Sequence, residues 1–243
     1  FRDRNSALRA ILRSVEQALG EAPVEEADRS ASTAPPKPHE SEGNGNRRTQ
    51  PNPEEPRRSY SPGVPYRKYR PSRTRDSAGI LSCDRVSELA SQVASVARAE
   101  GPIHQDILLD RLKEIYGVSR AGSNIQDNVR LAIAIAVRHH GIRHDARGGF
   151  LYFGVETVEC FRIDDDGVGR SIVQIAPEEI ALAVLFAVED QFGFPRDHLP
   201  RAVAELFGIG KATVGVAEVV GTVVDTLVER QRLRLSGPNV YLP

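Results

Sequence analysis

Two stretches of the sequence decide the fold: residues 103–121, IHQDILLDRLKEIYGVSRA, and residues 194–212, FPRDHLPRAVAELFGIGKA. They align without a gap at a constant offset of 91, since 194 − 103 = 91. Residues 116–118 fall on residues 207–209 as an aromatic-glycine-aliphatic pattern, and a basic residue follows in both copies. Further aligned pairs are Ile125 with Val216, Val129 with Val220 and Ile142 with Leu233. The sequence therefore predicts an internal repeat.

Each copy predicts the same order of elements. A leading helix precedes a short helix that ends at the glycine, and a third helix and a strand pair follow. The third helix of the second copy is rich in β-branched residues. Its apolar positions nevertheless recur at 3, 4, 7, 8, 11 and 12 from Val216, which is helical spacing. The strand pairs are residues 142–144 with 150–153 and residues 233–235 with 240–242. This order is typical of a winged helix, so the predicted fold class is mainly α with small β-hairpins, in two tandem winged-helix-like modules.

Composition predicts the division of the chain. Residues 1–20 are predicted to form a helix ending at Gly20, whose apolar stripe has no partner in this sequence. Residues 21–78 are predicted to be a disordered linker, because large aliphatic residues almost vanish there. The first repeat is predicted over residues 79–154, an extended connector with a solvated Asp turn over 155–175, and the second repeat over 176–243. The stripe of the first helix comprises Leu8, Ile11, Leu12, Val15 and Leu19.

Three features of the composition limit the class of protein. The chain begins at Phe1 and has no methionine, which predicts the tail of a longer polypeptide. No apolar run approaches the roughly 20 residues that a membrane span needs, so no membrane contact is expected. Cys83 and Cys160 belong to no C-x-x-C pair, which fits two partly buried thiols in a reducing cytosol and a cytoplasmic location.

The candidate catalytic and metal-binding motifs lack residues that such sites require. Residues 208–213 resemble a phosphate-binding loop, but Glu205 replaces its first glycine and Ala212 its metal-binding hydroxyl. His139, His140 and His144 are better explained as histidines near a helix C-terminus than as metal ligands. We therefore expect no enzyme activity, no metal and no cofactor in this chain.

The third helix of the first repeat predicts a DNA contact. In a helix-turn-helix, the outward face of this helix lies against the major groove. Arg130 and Arg138 against Asp127 leave that face with a charge of +1. The predicted DNA-binding residues are Arg120, Ser123, Asn124, Gln126, Arg130, Arg143 and Arg147.

The second half of the predicted linker is basic and contains three tyrosines. Cationic groups suit phosphates and rings suit base stacking, so Arg67, Lys68 and Arg70 are predicted linker contacts to DNA. A merely solvated linker is the alternative. The interleaved tyrosines are Tyr60, Tyr66 and Tyr69.

The third helix of the second repeat has the opposite charge. Glu218, Asp225 and Glu229 leave its outward face at −3, which would repel phosphate. We therefore predict that this face docks protein, and the alternative is that neither face binds anything.

The run from Gly101 to Ser123 resembles the tail of large bacterial superfamily I DNA helicases that also carry an endonuclease domain. Residues 175–180 look like a C-terminal domain of unknown function in those proteins, and residues 1–4 with their helix look like the end of the very-short-patch-repair-type endonuclease domain. Neither helicase motor motifs nor the acidic and lysine residues of the nuclease occur here. The resemblance therefore implies ATP and Mg²⁺ for the parent protein only. Lys211 lies where the family tends to be richer in arginine, which weakens a DNA role for the second repeat.

Together these features lead to one main expectation. The chain is expected to be a non-catalytic DNA-binding accessory region of an ATP-dependent helicase-nuclease, with DNA and the upstream helicase and endonuclease domains as partners. The alternative is a protein-docking module of the same machine. A stand-alone transcription regulator is disfavoured by the missing start and the unpartnered helix.

Overall fold

The computed structural model describes residues 60, 63–71, 75–154, 157–164 and 169–243. Over these residues the chain is mainly helical with small sheets, as the sequence predicts. None of the helices described is long and apolar enough to cross a membrane. The predicted N-terminal helix and most of the predicted linker lie outside the described residues.

The first repeat follows a short strand, β1 (Val64–Pro65), and combines helices with a three-stranded sheet. Its strand β4 lies between β2 and β3 and is antiparallel to both. The elements are α1 (Ala78–Leu81), a 3-10 turn (Cys83–Arg85), α2 (Val86–Glu100), β2 (Ile103–His104), α3 (Gln105–Tyr116), α4 (Ser123–His139), β3 (Ile142–Asp145) and β4 (Phe150–Phe153).

Local sequence explains the limits of α3. At its start, the Nδ1 atom of His104 accepts a hydrogen bond from the backbone N–H of Asp106 at 3.2 Å. At its end, Gly117 adopts a left-handed conformation with φ 63°, which glycine tolerates without steric strain. The glycine that the repeat alignment singles out is thus the residue that stops the helix.

The second repeat follows strand β5 (Arg162–Ile163) and a 3-10 turn (Ile172–Gln174) and has the same element order. Its helix α7 confirms the helix that the apolar spacing predicts despite the β-branched residues. The elements are α5 (Pro177–Asp190), β6 (Phe194–Pro195), a 3-10 turn (Arg196–His198), α6 (Leu199–Leu206), α7 (Val214–Glu229), β7 (Arg234–Ser236) and β8 (Asn239–Tyr241).

The offset of 91 holds from the leading helix to the third helix. The helices α2 and α5 begin at residues 86 and 177, and α4 and α7 begin at residues 123 and 214. The offset falls to 89 in the last strand, because Ile103 pairs with Leu151 whereas Phe194 pairs with Val240. The second hairpin is therefore shorter by two residues, which the ungapped alignment does not reveal.

Each repeat has its own cluster of buried apolar side chains. Ile125, Val129 and Val220, predicted as core positions, are buried with at most 5% exposure. The repeat alignment pairs Leu206 with Ile115 and predicts a core position there, but this prediction is wrong, because the Leu206 side chain is only partly buried. The chain turns after α6, and Phe207 enters the core instead, with its ring centroid 5.7 Å from that of Phe161.

Residues 63–71, called the strap below, are ordered against both repeats, so the prediction of a disordered linker up to residue 78 is wrong for them. Strand β1 in the strap pairs in parallel with β5. Tyr66 is only 2% exposed, and burial of its ring helps to offset the entropy of ordering the strap. Gly63 is required for this packing, since a Cβ there would lie 2.5 Å from the Phe161 ring.

Candidate nucleic-acid interface

The start of α4 brings together five of the predicted DNA-binding residues. The loop after α3 carries Arg120, and the first turns of α4 carry the others. All five side chains are exposed, because α4 turns its opposite face, with Ile125 and Val129, into the core. The exposed predicted residues are Arg120, Ser123, Asn124, Gln126 and Arg130.

Two of these side chains already have structural partners. The Nδ2 atom of Asn124 donates to the carbonyl oxygen of Leu81 at 3.0 Å, which holds the end of α1 against α4. The Nε2 atom of Gln126 donates to the carbonyl oxygen of Ala121 at 3.2 Å. Both amides therefore shape the local backbone, which the sequence-based prediction does not include.

The cationic groups of this region are held weakly. Arg130 pairs with Asp127 one turn earlier, and both side chains are about two-thirds exposed, at 70% and 67%. Such surface pairs contribute roughly 0–1 kcal/mol, so a phosphate could replace the carboxylate at little cost. The guanidinium of Arg120 makes no hydrogen bond or ion pair with any residue that the structure describes.

The hairpin separates the two other predicted residues. Arg147 is exposed in the turn between β3 and β4, where the Asp145 carboxylate accepts its backbone N–H at 3.1 Å. Arg143 lies on the sheet face away from α4, because neighbouring Ile142 points into the core. Its guanidinium lies 3.7 Å from the centroid of the Tyr152 ring. The structure therefore does not group Arg143 with the α4 cations.

The strap residues have structural roles that the linker prediction did not anticipate. Lys68 pairs with Glu114 of α3 at 2.7 Å, and Arg67 and Arg70 are exposed. The buried ring of Tyr66 is inaccessible to nucleobases, which contradicts its predicted role in stacking.

The acidic face of α7 is less acidic than its own residues indicate. Glu218, Asp225 and Glu229 are exposed as expected. However, Arg196, in the 3-10 turn before α6, forms an ion pair with Asp225. Adding this guanidinium changes the charge from −3 to −2, so the predicted surface is partly neutralised by a residue distant in sequence.

A groove of about 500 Å³ lies beside this acidic face, between α7 and the second hairpin. Val220, Val224 and Leu235 give it an apolar lining, and Leu235 is 46% exposed. Gly221 on its wall occupies the position of Arg130 in the first repeat, since 130 + 91 = 221. The two third helices therefore present different surfaces at the same place.

The junction between the repeats contains a buried polar cluster that the sequence analysis did not detect. The Tyr66 hydroxyl donates to Glu100, and the Nε atom of Arg111 donates to the same carboxylate at 2.8 Å. Glu100 and Arg111 are 0% and 5% exposed. Burial and the neighbouring Glu100 carboxylate raise the pKa of Tyr66 well above its ordinary value.

Arg162 of β5 joins the two repeats directly. Its Nη1 atom donates to the carbonyl oxygen of Glu100 at 2.6 Å, and its Nη2 atom donates to that of Pro102 at 2.7 Å. Its Nε atom donates to Glu179 of the second repeat at 2.9 Å. Burial lowers the pKa of Arg162, but the Glu179 carboxylate outweighs burial, so the pKa is raised. One guanidinium thus connects the end of α2 to the start of α5.

A second arginine organises the described part of the connector. The side chain of Arg170 is 1% exposed, and its Nε atom donates to Asp164 at 2.8 Å. Its guanidinium also lies 4.2 Å from the centroid of the Tyr66 ring. The Asp164 side chain, predicted to be part of a solvated turn, is therefore only 6% exposed and pairs with Arg170.

Glu178 and Glu179, at the start of α5, are also buried. Their place in the first turn of α5 suits the helix dipole, and they are only 6% and 0% exposed. Glu178 accepts hydrogen bonds from the Tyr152 hydroxyl at 3.1 Å. Glu88 occupies the position of Glu179 in the first repeat, yet its side chain is 52% exposed. The repeat alignment therefore cannot indicate which of the two carboxylates is buried.

Cys83 and Cys160 are both free thiols. Cys83 is exposed, contrary to the predicted partial burial, and Cys160 is half-buried. Burial and the nearby Glu179 carboxylate raise the pKa of Cys160, which disfavours its reactive thiolate. Among the residues that the structure describes, no three histidine, cysteine or carboxylate side chains are grouped as a metal could require.

A family model described as a protein of unknown function (DUF3320) matches residues 83–127, from the 3-10 turn before α2 to the first turns of α4. No curated protein and no solved structure matches the chain. The chain thus resembles a domain of unknown function over the residues that carry the Arg120 loop.

Proposed function

We propose that the two repeats are winged-helix modules and that the first of them binds DNA as an accessory region of an ATP-dependent helicase-nuclease. The order helix, strand, helix, helix, hairpin supports the winged-helix assignment in both repeats. The DUF3320 match supports the part of the resemblance that concerns a domain of unknown function. The helicase and endonuclease would be other parts of the same cytoplasmic polypeptide, and ATP and Mg²⁺ would bind there.

The proposal rests on the cluster of exposed arginines at and near the start of α4. Arg120 and Arg130 lie where a helix-turn-helix meets the major groove, and Arg147 lies at the tip of the hairpin. With the amides of Asn124 and Gln126 bound locally, phosphate contacts are favoured over base readout. Arg67 and Arg70 of the strap would add secondary contacts.

The proposal is tested by DNA binding across a salt series, measured by fluorescence anisotropy with the full chain. The triple variant Arg120→Ala, Arg130→Ala, Arg147→Ala should weaken binding at least about tenfold. Each lost phosphate contact reduces the salt slope by about 0.9, so a decrease of about 2–3 is expected.

A matched control removes three exposed charges from the second repeat: Arg201→Ala, Lys211→Ala and Arg234→Ala. It changes net charge equally, so it should leave affinity within about twofold if the first repeat is the contact surface. Equal losses from the two triple variants would contradict the proposal.

Protein docking by the second repeat is a second candidate, favoured by the apolar groove beside α7. The proposed partner is an upstream domain of the same polypeptide. Filling the groove with Gly221→Arg should abolish capture of the separately produced upstream part by the full chain, and the exposed control Arg201→Ala should not. Undiminished capture by the Gly221→Arg variant would reject this candidate.

A further inference from the structure

A second cavity, of about 760 Å³, lies at the C-terminal end of α5 and does not share residues with the α7 groove. This volume is within the range of small-ligand pockets. Two carboxylates and one guanidinium leave its lining with a charge of −1. The aromatic residues are Tyr60, Phe186, Phe192 and Tyr241, and the charged residues are Glu189, Asp190 and Arg232.

The loop from α5 to β6 holds an aromatic ring at the mouth of this cavity. Phe192 is 83% exposed and has φ 55°, a left-handed conformation that is rare for a bulky residue. Strain of this kind occurs at functional sites, where surrounding structure maintains it. Gly193 allows the Tyr241 ring to lie against the loop backbone, since a Cβ there would lie 2.4 Å from that ring.

On the opposite side, hydrogen bonds hold both the backbone N–H and the side-chain hydroxyl of Tyr60. Its backbone N–H donates to Glu189 at 2.6 Å, and its hydroxyl accepts from the Nη2 atom of Arg232 at 3.2 Å. The rings and the acidic edge are therefore preorganised, which reduces the entropy lost on binding.

The first repeat shows what the equivalent loop binds. Residues 191–193 correspond to residues 100–102, and the guanidinium of Arg162 donates to the carbonyl oxygens of all three of those residues. The Tyr66 ring lies 5.0 Å from that guanidinium, and Glu179 neutralises it. Arginine, ring and carboxylate thus meet at this loop in the first repeat, whereas the second repeat has rings and carboxylates around an open cavity.

We propose that this aromatic cavity binds an arginine side chain presented by an extended basic peptide. The carboxylates of Glu189 and Asp190 supply the countercharge, and the rings of Phe192 and Tyr241 supply cation–π contacts. A planar guanidinium fits this combination better than the compact lysine ammonium.

The test titrates the full chain into a labelled peptide, Gly-Pro-Arg-Gly-Gly, and follows anisotropy. Two matched peptides replace the arginine by neutral citrulline or by lysine. The arginine peptide should bind at least about tenfold more tightly than the citrulline peptide and more tightly than the lysine peptide. Equal binding of arginine and citrulline peptides would overturn the proposal.

Variants locate the binding on the protein. The double variant Glu189→Gln, Asp190→Asn keeps an acceptor for Tyr60 and should lower affinity at least about tenfold, and Phe192→Ala should lower it severalfold. The control Asp197→Asn, Glu218→Gln removes two exposed charges from the same repeat and should have no effect. If cavity and control variants bind equally well, the peptide binds elsewhere and the assignment is wrong.

Two arginines precede the cavity residue Tyr60 closely in the sequence. Arg57 and Arg58 stand three and two residues before Tyr60 in the sequence. If Arg57→Ser, Arg58→Ser tightens peptide binding, these arginines compete for the cavity, which supports arginine recognition. DNA binding does not enter any of these measurements, so this proposal can fail while the proposed function stands.

Discussion

The third helices of the two repeats have matching buried faces and different exposed ones. Ile125 and Val129 in α4 and Val216 and Val220 in α7 occupy equivalent core positions. On the exposed face, Arg130 of α4 corresponds to Gly221 of α7, and Gln126 corresponds to Ala217. The comparison teaches that the repeat fixes packing and leaves surface chemistry free to differ, so each helix needs its own functional test.

The largest expected effect tests the core of the second repeat. Phe207→Ala should lower the free energy of unfolding by about 3–5 kcal/mol, because it empties a fully buried aromatic site. Leu206→Ala should cost clearly less, since that side chain is partly exposed. Urea denaturation of the full chain measures both, and a larger loss for Leu206→Ala would show that the burial is misassigned.

The next largest effect tests whether the repeats behave as one unit. Arg162→Ala should lower the free energy of unfolding by about 3 kcal/mol, the lower end for breaking a buried ion pair. The reason for the lower value is Arg170, whose Nη1 atom remains 3.6 Å from Glu179. Separate unfolding transitions for the two repeats are also expected.

The control for this variant is Arg196→Ala, which breaks the exposed pair with Asp225 and should cost less than about 1 kcal/mol. If the two variants are equally stable, the buried junction does not couple the repeats.

A smaller effect is expected from exchanging the surface residues of the two third helices. Arg130→Ala should weaken DNA binding a few-fold and reduce the salt slope by about 0.9. Gly221→Arg should strengthen DNA binding a few-fold, because a Cβ there meets nothing within 4 Å. It should also raise stability by roughly 0.5–1 kcal/mol by removing a mid-helix glycine. Anisotropy and urea denaturation check the two effects, and weaker DNA binding by the Gly221→Arg variant would contradict the charge argument.

The smallest expected effect is a pH dependence of the stability of the first repeat. Burial lowers the pKa of His144, and the nearby Asp145 carboxylate partly offsets this shift. Burial also lowers the pKa of His104, and Asp106 partly offsets the shift there. In the unfolded state the pKa of these histidines is about 6.5, so the unfolded state binds protons more readily than the folded state. Stability should therefore be fully present above that pH and decrease as the pH falls below it.

The second repeat has Pro195 and Leu235 at the two histidine positions, so it lacks these two titratable groups. Denaturation at pH 7.5 and pH 5.5 measures it, and His144→Leu should reduce the difference. An unchanged difference in that variant would assign the effect to other groups.

Most of the local structure was predictable from the sequence. Apolar spacing identifies α4 and α7, the aligned glycines mark the ends of the helices before them, and the hairpin positions follow from turn residues. These signals depend on neighbours within a few residues, so one sequence contains them. For the candidate site, the exposure of Arg120 and Arg130 was predictable for the same reason, whereas the local bonds of Asn124 and Gln126 were not.

The sequence by itself thus determined the repeat, the helices and hairpins within it, and the contrast in charge between the two third helices. Only the tertiary structure decided which charged residues are buried, because residue type alone predicts that Glu100, Arg111 and Glu179 are exposed. Their burial depends on partners about 11 to 62 positions away in the chain. The strap is ordered for the same reason: Tyr66 and β1 find their partners about 34 and 98 residues later, and short polar sequence cannot indicate such contacts.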